Sequence, residues 1–153
     1  MSQSKNALWK TVLAVLVLTS TGCHTVPPAK VADPQALAGK KYLYIVDSTR
    51  KDRGFRAEIV RNLTGRGFTV SSGPMNQWGA DVQLYLLYED RWNWDMVMYP
   101  AQVKISIYEV ATRSLLGSAE FKNTFFHTYA DPPEIADELI GRIFGEPAGK
   151  FME

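Results

Sequence analysis

The densest group of aromatic and methionine side chains in this sequence lies in residues 91–99, which read Arg-Trp-Asn-Trp-Asp-Met-Val-Met-Tyr. Tryptophan, tyrosine and arginine dominate the energetic hot spots of binding surfaces, and one large ring can bury about 150–250 Å². The candidate binding residues are therefore Arg91, Trp92, Trp94, Asp95 and Tyr99. A structural interpretation stays open, in which these rings cover the open end of the core and the indole nitrogens bond locally.

The same segment is predicted to form the tip of a β-hairpin. On both sides of it, apolar residues alternate with other residues, which is the period of a half-buried strand. An antiparallel pairing of Leu86 with Ile105 centres the turn on residues 95–96 and sets Trp94 opposite Val97. Aromatic cross-strand pairs stabilise such hairpins.

Few residues in the sequence could support catalysis. A serine or cysteine nucleophile usually needs a histidine base, and the sequence has only His24 and His127. Asp47 or Asp95 could act as the base of a hydrolase, which is a third hypothesis after the two binding functions given below. Residues 47–49, Asp-Ser-Thr, follow a predicted strand and are explained more simply by capping of the next helix. We therefore expect no enzymatic activity.

Metal and cofactor sites are not indicated either. His127 is followed by Asp131 and Glu134, but this spacing lacks the two-His or Cys/His pattern of a zinc motif. Asp131 and Glu134 are explained by the start of a helix, where carboxylates are favourable. We expect no metal and no cofactor.

The N-terminus has the three parts of an export signal. Lys5 and Lys10 form its basic region, residues 11–18 form a short apolar run, and residues 19–22 are small. The apolar run is much shorter than the roughly 20 residues that a membrane-spanning helix needs. Residues 1–22 are therefore predicted to be a cleaved signal peptide.

The end of this leader, Leu-Thr-Ser-Thr-Gly-Cys in residues 18–23, resembles the lipobox of bacterial lipoproteins. The resemblance implies that Cys23 carries a diacylglycerol thioether and becomes the first residue of the mature chain. His24 stands where an aspartate commonly retains lipoproteins at the inner membrane, so the implied address is the periplasmic face of the outer membrane. Residues 20–22, Ser-Thr-Gly, also fit the small-x-small site of ordinary signal peptidase.

Composition excludes several classes of function. The chain has 153 residues, 46% of them apolar and 22% charged, which is typical of one globular domain. Lys5 and Lys10 are two of the 17 basic residues, whereas all 16 acidic residues follow the leader, so the mature chain is nearly neutral. Binding to nucleic acid needs a basic face that neutralises phosphates, and no nucleic-acid partner is expected.

The mature chain is predicted to contain a tether and one domain. Residues 23–40 are rich in proline and alanine without periodicity, which indicates a lipidated tether. Residues 41–146 form the domain, and residues 147–153 form a C-terminal tail. The hydrophobic periods predict the order β-α-β-β-β-β-α. The apolar positions of the first helix are Phe55, Ile59, Val60 and Leu63. The second helix follows Asp131, and its apolar stripe is Ile135, Leu139, Ile140 and Ile143.

Two amphipathic helices and about five strands predict an α+β fold. The expected architecture is a two-layer sandwich, in which a mostly antiparallel sheet carries both helices on one face. In this arrangement the opposite face of the sheet is solvated.

The leader, the β-α-β start and the Arg-Trp-x-Trp-Asp segment together resemble a family of small proteobacterial lipoproteins. Arg91, Trp92, Trp94, Asp95 and Tyr99 carry this resemblance, which brings no activity with it. The leading hypothesis is an outer-membrane lipoprotein, anchored in the membrane through its lipid. It acts as a non-enzymatic binding or assembly module that contacts an envelope protein through the sheet edge or the hairpin. The alternative is a periplasmic module that binds a small molecule or glycan through the Trp-rich hairpin.

Overall fold

A computed structural model describes residues 27–47, 53–123 and 130–147 of the chain. The signal peptide, Cys23, His24, His127 and the tail from residue 148 onward lie outside the described residues. The α+β class and the predicted order of the main elements are confirmed, with one additional short helix at the start. The elements are α1 (Pro34–Leu37), β1 (Tyr42–Val46), α2 (Phe55–Gly65), β2 (Thr69–Gly73), β3 (Leu84–Asp95), β4 (Val97–Glu109), β5 (Leu115–Lys122) and α3 (Pro132–Ile143).

The five strands form one mixed sheet in the order β2-β1-β3-β4-β5. Strand β1 pairs in parallel with β2 and with β3, whereas the β3–β4 and β4–β5 pairs are antiparallel. Antiparallel pairing covers most of the sheet, as expected, and the two parallel pairings of β1 make the sheet mixed. Because α2 carries the chain from β1 to β2, these two strands form a βαβ unit, and such a crossover makes neighbouring strands parallel.

Both long helices pack on the same face of the sheet, as predicted. Helix α2 buries Phe55, Ile59 and Leu63 one helical turn apart. In helix α3 the predicted apolar stripe of Ile135, Leu139, Ile140 and Ile143 is fully buried, and its side chains share one core with those of α2. Burying an aliphatic or phenylalanine side chain contributes about 1.5–3 kcal/mol, so these two stripes hold the helical layer on the sheet.

The helix-free face of the sheet carries a second apolar cluster, which the sequence analysis did not predict. Tyr85 stacks between Trp78 and Tyr108, with ring centroids 5.1 Å and 5.0 Å away, and Tyr44 meets the edge of Trp78 at 5.6 Å. Val82 belongs to this cluster. Val82 precedes β3, which begins at residue 84.

Residues 27–32, here called the N-terminal strap, pack against the domain. Lys30 and Ser118 exchange two backbone hydrogen bonds of 2.8 Å and 2.9 Å at the free edge of β5. The Arg142 side chain donates to the carbonyl of Pro27, and Ala32 is buried in the main core. From Pro27 onward the segment predicted as a tether therefore packs on the domain, because small side chains fit the narrow space between β5 and α3.

The end of this N-terminal segment is also fixed. Lys40, just before β1, forms an ion pair of 2.7 Å with Glu109 at the end of β4. Hydrogen bonds from Lys40 and Thr112 lower the pKa of the Glu109 carboxyl. Both ends of residues 27–40 are thus joined to the sheet.

Gly117 tests the packing of the strap. A Cβ atom at Gly117 would lie 2.7 Å from Cγ2 of Ile143 and 3.2 Å from Cβ of Ala32. We expect Gly117→Ala to lower the free energy of unfolding by about 1–3 kcal/mol through overpacking, measured by urea denaturation. Gly65→Ala is the matched control, because nothing lies within 4 Å of its new Cβ. Equal free energies of unfolding in Gly117→Ala and Gly65→Ala would contradict the close packing of β5 against α3 and the strap.

Candidate functional site

The candidate site is the outer part of the β3–β4 hairpin, and its register differs from the predicted one. Leu86 lies opposite Ile107 rather than Ile105, so the earlier pairing was shifted by two residues. The register then changes by one residue after Arg91, because β4 contains one additional residue at a β-bulge. Pro100 stands beside this bulge, and proline occurs in sheets chiefly at edges and bulges because it lacks an N–H donor.

The hairpin extends beyond the rest of the sheet. The pairing of β1 with β3 reaches only to Leu86, and the pairing of β5 with β4 begins at Gln102. Within the described parts of the chain, residues 92–95 and 97–100 pair only with each other. The segment singled out in the sequence is therefore a projecting two-stranded arm.

Trp92 anchors the base of this arm. Its ring meets Phe55 of α2 edge-on at 5.9 Å, and the guanidinium of Arg53 lies 5.2 Å above the ring. The indole Nε1 donates a hydrogen bond of 2.5 Å to Asp90. An aromatic pair of this kind contributes about 0.5–1.5 kcal/mol beyond its burial. The structural interpretation is thus correct for Trp92, which belongs to the fold rather than to a free binding surface.

The far end of the arm is exposed and apolar. We call Trp94, Met96, Val97 and Met98 the hairpin tip; their exposed fractions are 71%, 87%, 51% and 40%. Trp94 lies directly opposite Met98, and Asp95 lies opposite Val97. Because side chains alternate between the faces of a strand, Trp94 and Met98 share the face on which Trp92 packs, and Val97 lies on the other face. The tip thus presents apolar side chains on both faces.

Met96 forms the turn itself. It is the single residue between the two strands, and its backbone is left-handed, with φ of 58°. Glycine or asparagine is the usual residue in such a position, because the left-handed conformation costs other residues about 1–2 kcal/mol. A methionine that is both strained and 87% exposed contributes little to folding, because little of its side chain is removed from water.

The five residues predicted for binding are divided by the structure. Trp94 belongs to the hairpin tip, Asp95 is exposed next to it, and Arg91 is exposed at the level of the bulge. Tyr99 is half-buried opposite Asn93. Met96 and Met98 were not among the candidates named from the sequence. Both lie in or next to the predicted turn, and this position is the signal that could have identified them.

The carboxylates considered for hydrolysis do not meet. Parallel pairing of Ile45 with Leu86 places Asp47 at the level of residue 88, so Asp95 lies about 23 Å farther along β3 at about 3.3 Å per residue. Paired carboxylates in glycosidases are within about 10 Å of each other. Asp47 instead forms an ion pair of 3.1 Å with Arg56. The cap of α2 is Gly54, so the capping role given to Asp47 was wrong, and Ser48 and Thr49 lie outside the described residues.

Tyr44 is the second residue with a shifted titration. Burial raises the pKa of its phenol above the usual value, and the nearby Asp47 carboxylate raises it further. Its hydroxyl donates a hydrogen bond of 3.1 Å to the carbonyl of Pro74. Tyr44 therefore stays protonated and serves the packing of the helix-free face.

Two features are absent from the described ranges. No group of three or more histidine, cysteine, aspartate or glutamate side chains is placed there to hold a metal ion. Among the helices of the same ranges, none has the length and apolar character required to cross a membrane.

Comparison with known proteins shows a shared fold. No protein-family model and no curated protein matches this sequence. The PelC dodecamer from Paraburkholderia phytofirmans aligns with a TM-score of 0.54 at 17% identity, covering 79% of this chain and 94% of that chain. A substituted form of the same dodecamer aligns with a TM-score of 0.55 at 16% identity, covering 83% and 100%.

A third solved structure, TolB from Acinetobacter baumannii, aligns with a TM-score of 0.49 at 15% identity, covering 82% of this chain and 32% of that chain. The two PelC alignments show that this fold also occurs in another protein.

A glycine substitution at the turn tests whether Met96 contributes to the stability of the fold. We expect Met96→Gly to leave the free energy of unfolding unchanged or to raise it by up to about 1 kcal/mol, because glycine adopts positive φ without strain. Arg113→Gly is the matched control, since Arg113 also has positive φ, of 55°, in the β4–β5 turn at the opposite end of β4. Urea denaturation measures both. A loss above about 1 kcal/mol in Met96→Gly alone would mean that Met96 packs on the fold.

Proposed function

We propose that this protein is a non-enzymatic binding module of the bacterial envelope, which acts through the hairpin tip. In this proposal Cys23 carries the lipid that anchors the chain at the periplasmic face of the outer membrane. The observation that carries the proposal is the contrast along one arm. Trp92 is packed and hydrogen-bonded at its base, whereas Trp94 and Met96 are exposed at its end.

The energetics of the tip support a binding role. A Trp-sized side chain buries about 150–250 Å², and Trp94 is 71% exposed. At about 25 cal/mol per Å² of apolar surface, covering its exposed part has a gross value of about 3–4 kcal/mol. The adjoining Met96 and Met98 enlarge this surface, so a partner that covers the tip gains substantially.

The anchored base supports the same role. Because Trp92 fixes the arm to α2, the tip is displayed in a defined position and little conformational entropy is lost on binding. An unanchored two-stranded hairpin would be only marginally stable in water. The contacts of Trp92 with Phe55 and Arg53 thus serve the function indirectly.

The fold shared with PelC is consistent with a role in an assembly, since that protein forms a dodecamer. In the present chain, the described part leaves the outer edge of β2 without a strand partner, whereas the strap occupies the edge of β5. An open strand edge is a template for pairing with another chain. Strand β2 is therefore a second surface through which an envelope protein could join.

A glycan ligand is the second candidate function. The exposed ring of Trp94 is free of the ring contacts that occupy Trp92, and an indole face can stack on a sugar. This candidate uses the same tip and differs from the first only in the chemistry of what covers it.

Photo-crosslinking in living cells tests the proposal. A photoreactive amino acid at position 96 of the full-length chain, expressed with its own leader, is expected to form adducts with an envelope component. The same amino acid at position 113 is the control, because both turns share the left-handed backbone but lie at opposite ends of β4. Mass spectrometry distinguishes protein, glycan and lipid adducts. Equal labelling at positions 96 and 113 would contradict a binding role for the tip.

A further inference from the structure

We infer that the component covered by the hairpin tip is the lipid surface in which Cys23 is anchored, so that the domain contacts one membrane at two points. This inference rests on the proposed function, because it takes the lipid on Cys23 and the binding role of the tip as given. It assigns the partner of that same site.

The direction of the strap places the anchor and the tip at the same end of the domain. Lys30 pairs with Ser118 in antiparallel orientation, and β5 runs toward the end at which the hairpin projects, since Lys122 lies opposite Gln102. Followed from Lys30 back toward its start, the strap therefore runs in the direction of the tip. The hydrogen bond from Arg142 fixes Pro27, the first described residue, on the domain.

The length of the remaining chain limits how far Cys23 can lie from Lys30. Lys30 is level with Ser118 and hence with Ser106 of β4. Met96 lies ten residues before Ser106 with one residue in the bulge, which corresponds to about 30 Å at about 3.3 Å per residue. From Lys30 back to Cys23 the chain has seven residues, which span at most about 25 Å.

The tip therefore extends roughly 5 Å or more beyond the farthest point that Cys23 can reach along this direction. Apolar elements that bind at the surface of a bilayer bury themselves about 5–10 Å into the boundary between headgroups and acyl chains. With Cys23 held at this boundary and the domain standing on this end, the tip lies at the depth where an apolar surface is stable.

The composition of the tip fits a lipid boundary. Tryptophan is enriched at membrane interfaces, because its ring is apolar and its N–H remains wet. Residues 91–98 contain one arginine and one aspartate, so the segment has no net charge. The contact is therefore apolar, and we expect it to need neither anionic lipid nor low salt.

Quenching of tryptophan fluorescence by brominated lipid tests the inference. The full-length protein is extracted from membranes, its acylation at Cys23 is checked by intact mass, and it is reconstituted into phosphatidylcholine vesicles with brominated acyl chains. We expect strong quenching in the wild type and loss of most of it in Trp94→Phe. Trp78→Phe is the matched control and should keep the quenching, because Trp78 packs against Tyr44 and Tyr85 on the helix-free face.

Each outcome has one meaning. Equal quenching in wild type and Trp94→Phe would overturn the inference. Loss of the wild-type quenching in about 0.5 M salt, where the Debye length is about 4–5 Å, would also overturn it, because it would mean that charges hold the contact. If position 96 crosslinks to a protein or glycan while Trp94 is not quenched, the lipid inference fails and the binding function stands. If the protein carries no lipid and position 96 labels nothing, both fail.

Discussion

The antiparallel pairing of β3 with β4 is the constraint on which the other features depend. These strands run over residues 84–95 and 97–109, whereas β1 has only five residues and β5 only eight. Since their neighbours end earlier, the outer third of the pair must project from the sheet. The bulge beside Pro100 adds local twist at the point where this projection begins. The arm is therefore a consequence of strand length, and no separate element is needed to build it.

The projecting arm is fixed to the rest of the domain at its base. Trp92 is the first residue beyond the bulge. It packs toward α2, where it contacts Phe55 and Arg53, and it donates a hydrogen bond to Asp90. Two residues later, on the same face of the strand, Trp94 has passed the end of the helical layer and is exposed. Identical residue types thus have different roles that are set by a distance of about 7 Å along one strand. On the other side of the sheet, the stack around Tyr85 covers the face that no helix protects.

The helices and the order of the elements along the chain could be predicted from the sequence, because the apolar stripes of α2 and α3 follow the period of a helix. The register of the hairpin could not be obtained in the same way. A shift of two residues returns every side chain to the same face, so alternation around Leu86 and Ile105 fits the wrong pairing as well as the right one. The strap was missed because Ala29 and Ala32 are too small, and Pro27 and Pro28 too irregular, to give a periodic signal. The division between Trp92 and Trp94 depends on where α2 ends in space, which no local pattern contains.

The central claim is that the strap and the hairpin tip bring one end of this domain to the membrane. Cys23 is the only cysteine in the chain, so once it is acylated an introduced cysteine is the single thiol that a nitroxide spin label can modify. Labels at position 96 and at position 113 of the vesicle-bound protein report the depth of the two turns through their collisions with oxygen and with a water-soluble nickel complex. We expect oxygen to be the main collision partner at position 96 and the nickel complex to be the main one at position 113. Equal access of nickel to both positions would contradict the central claim.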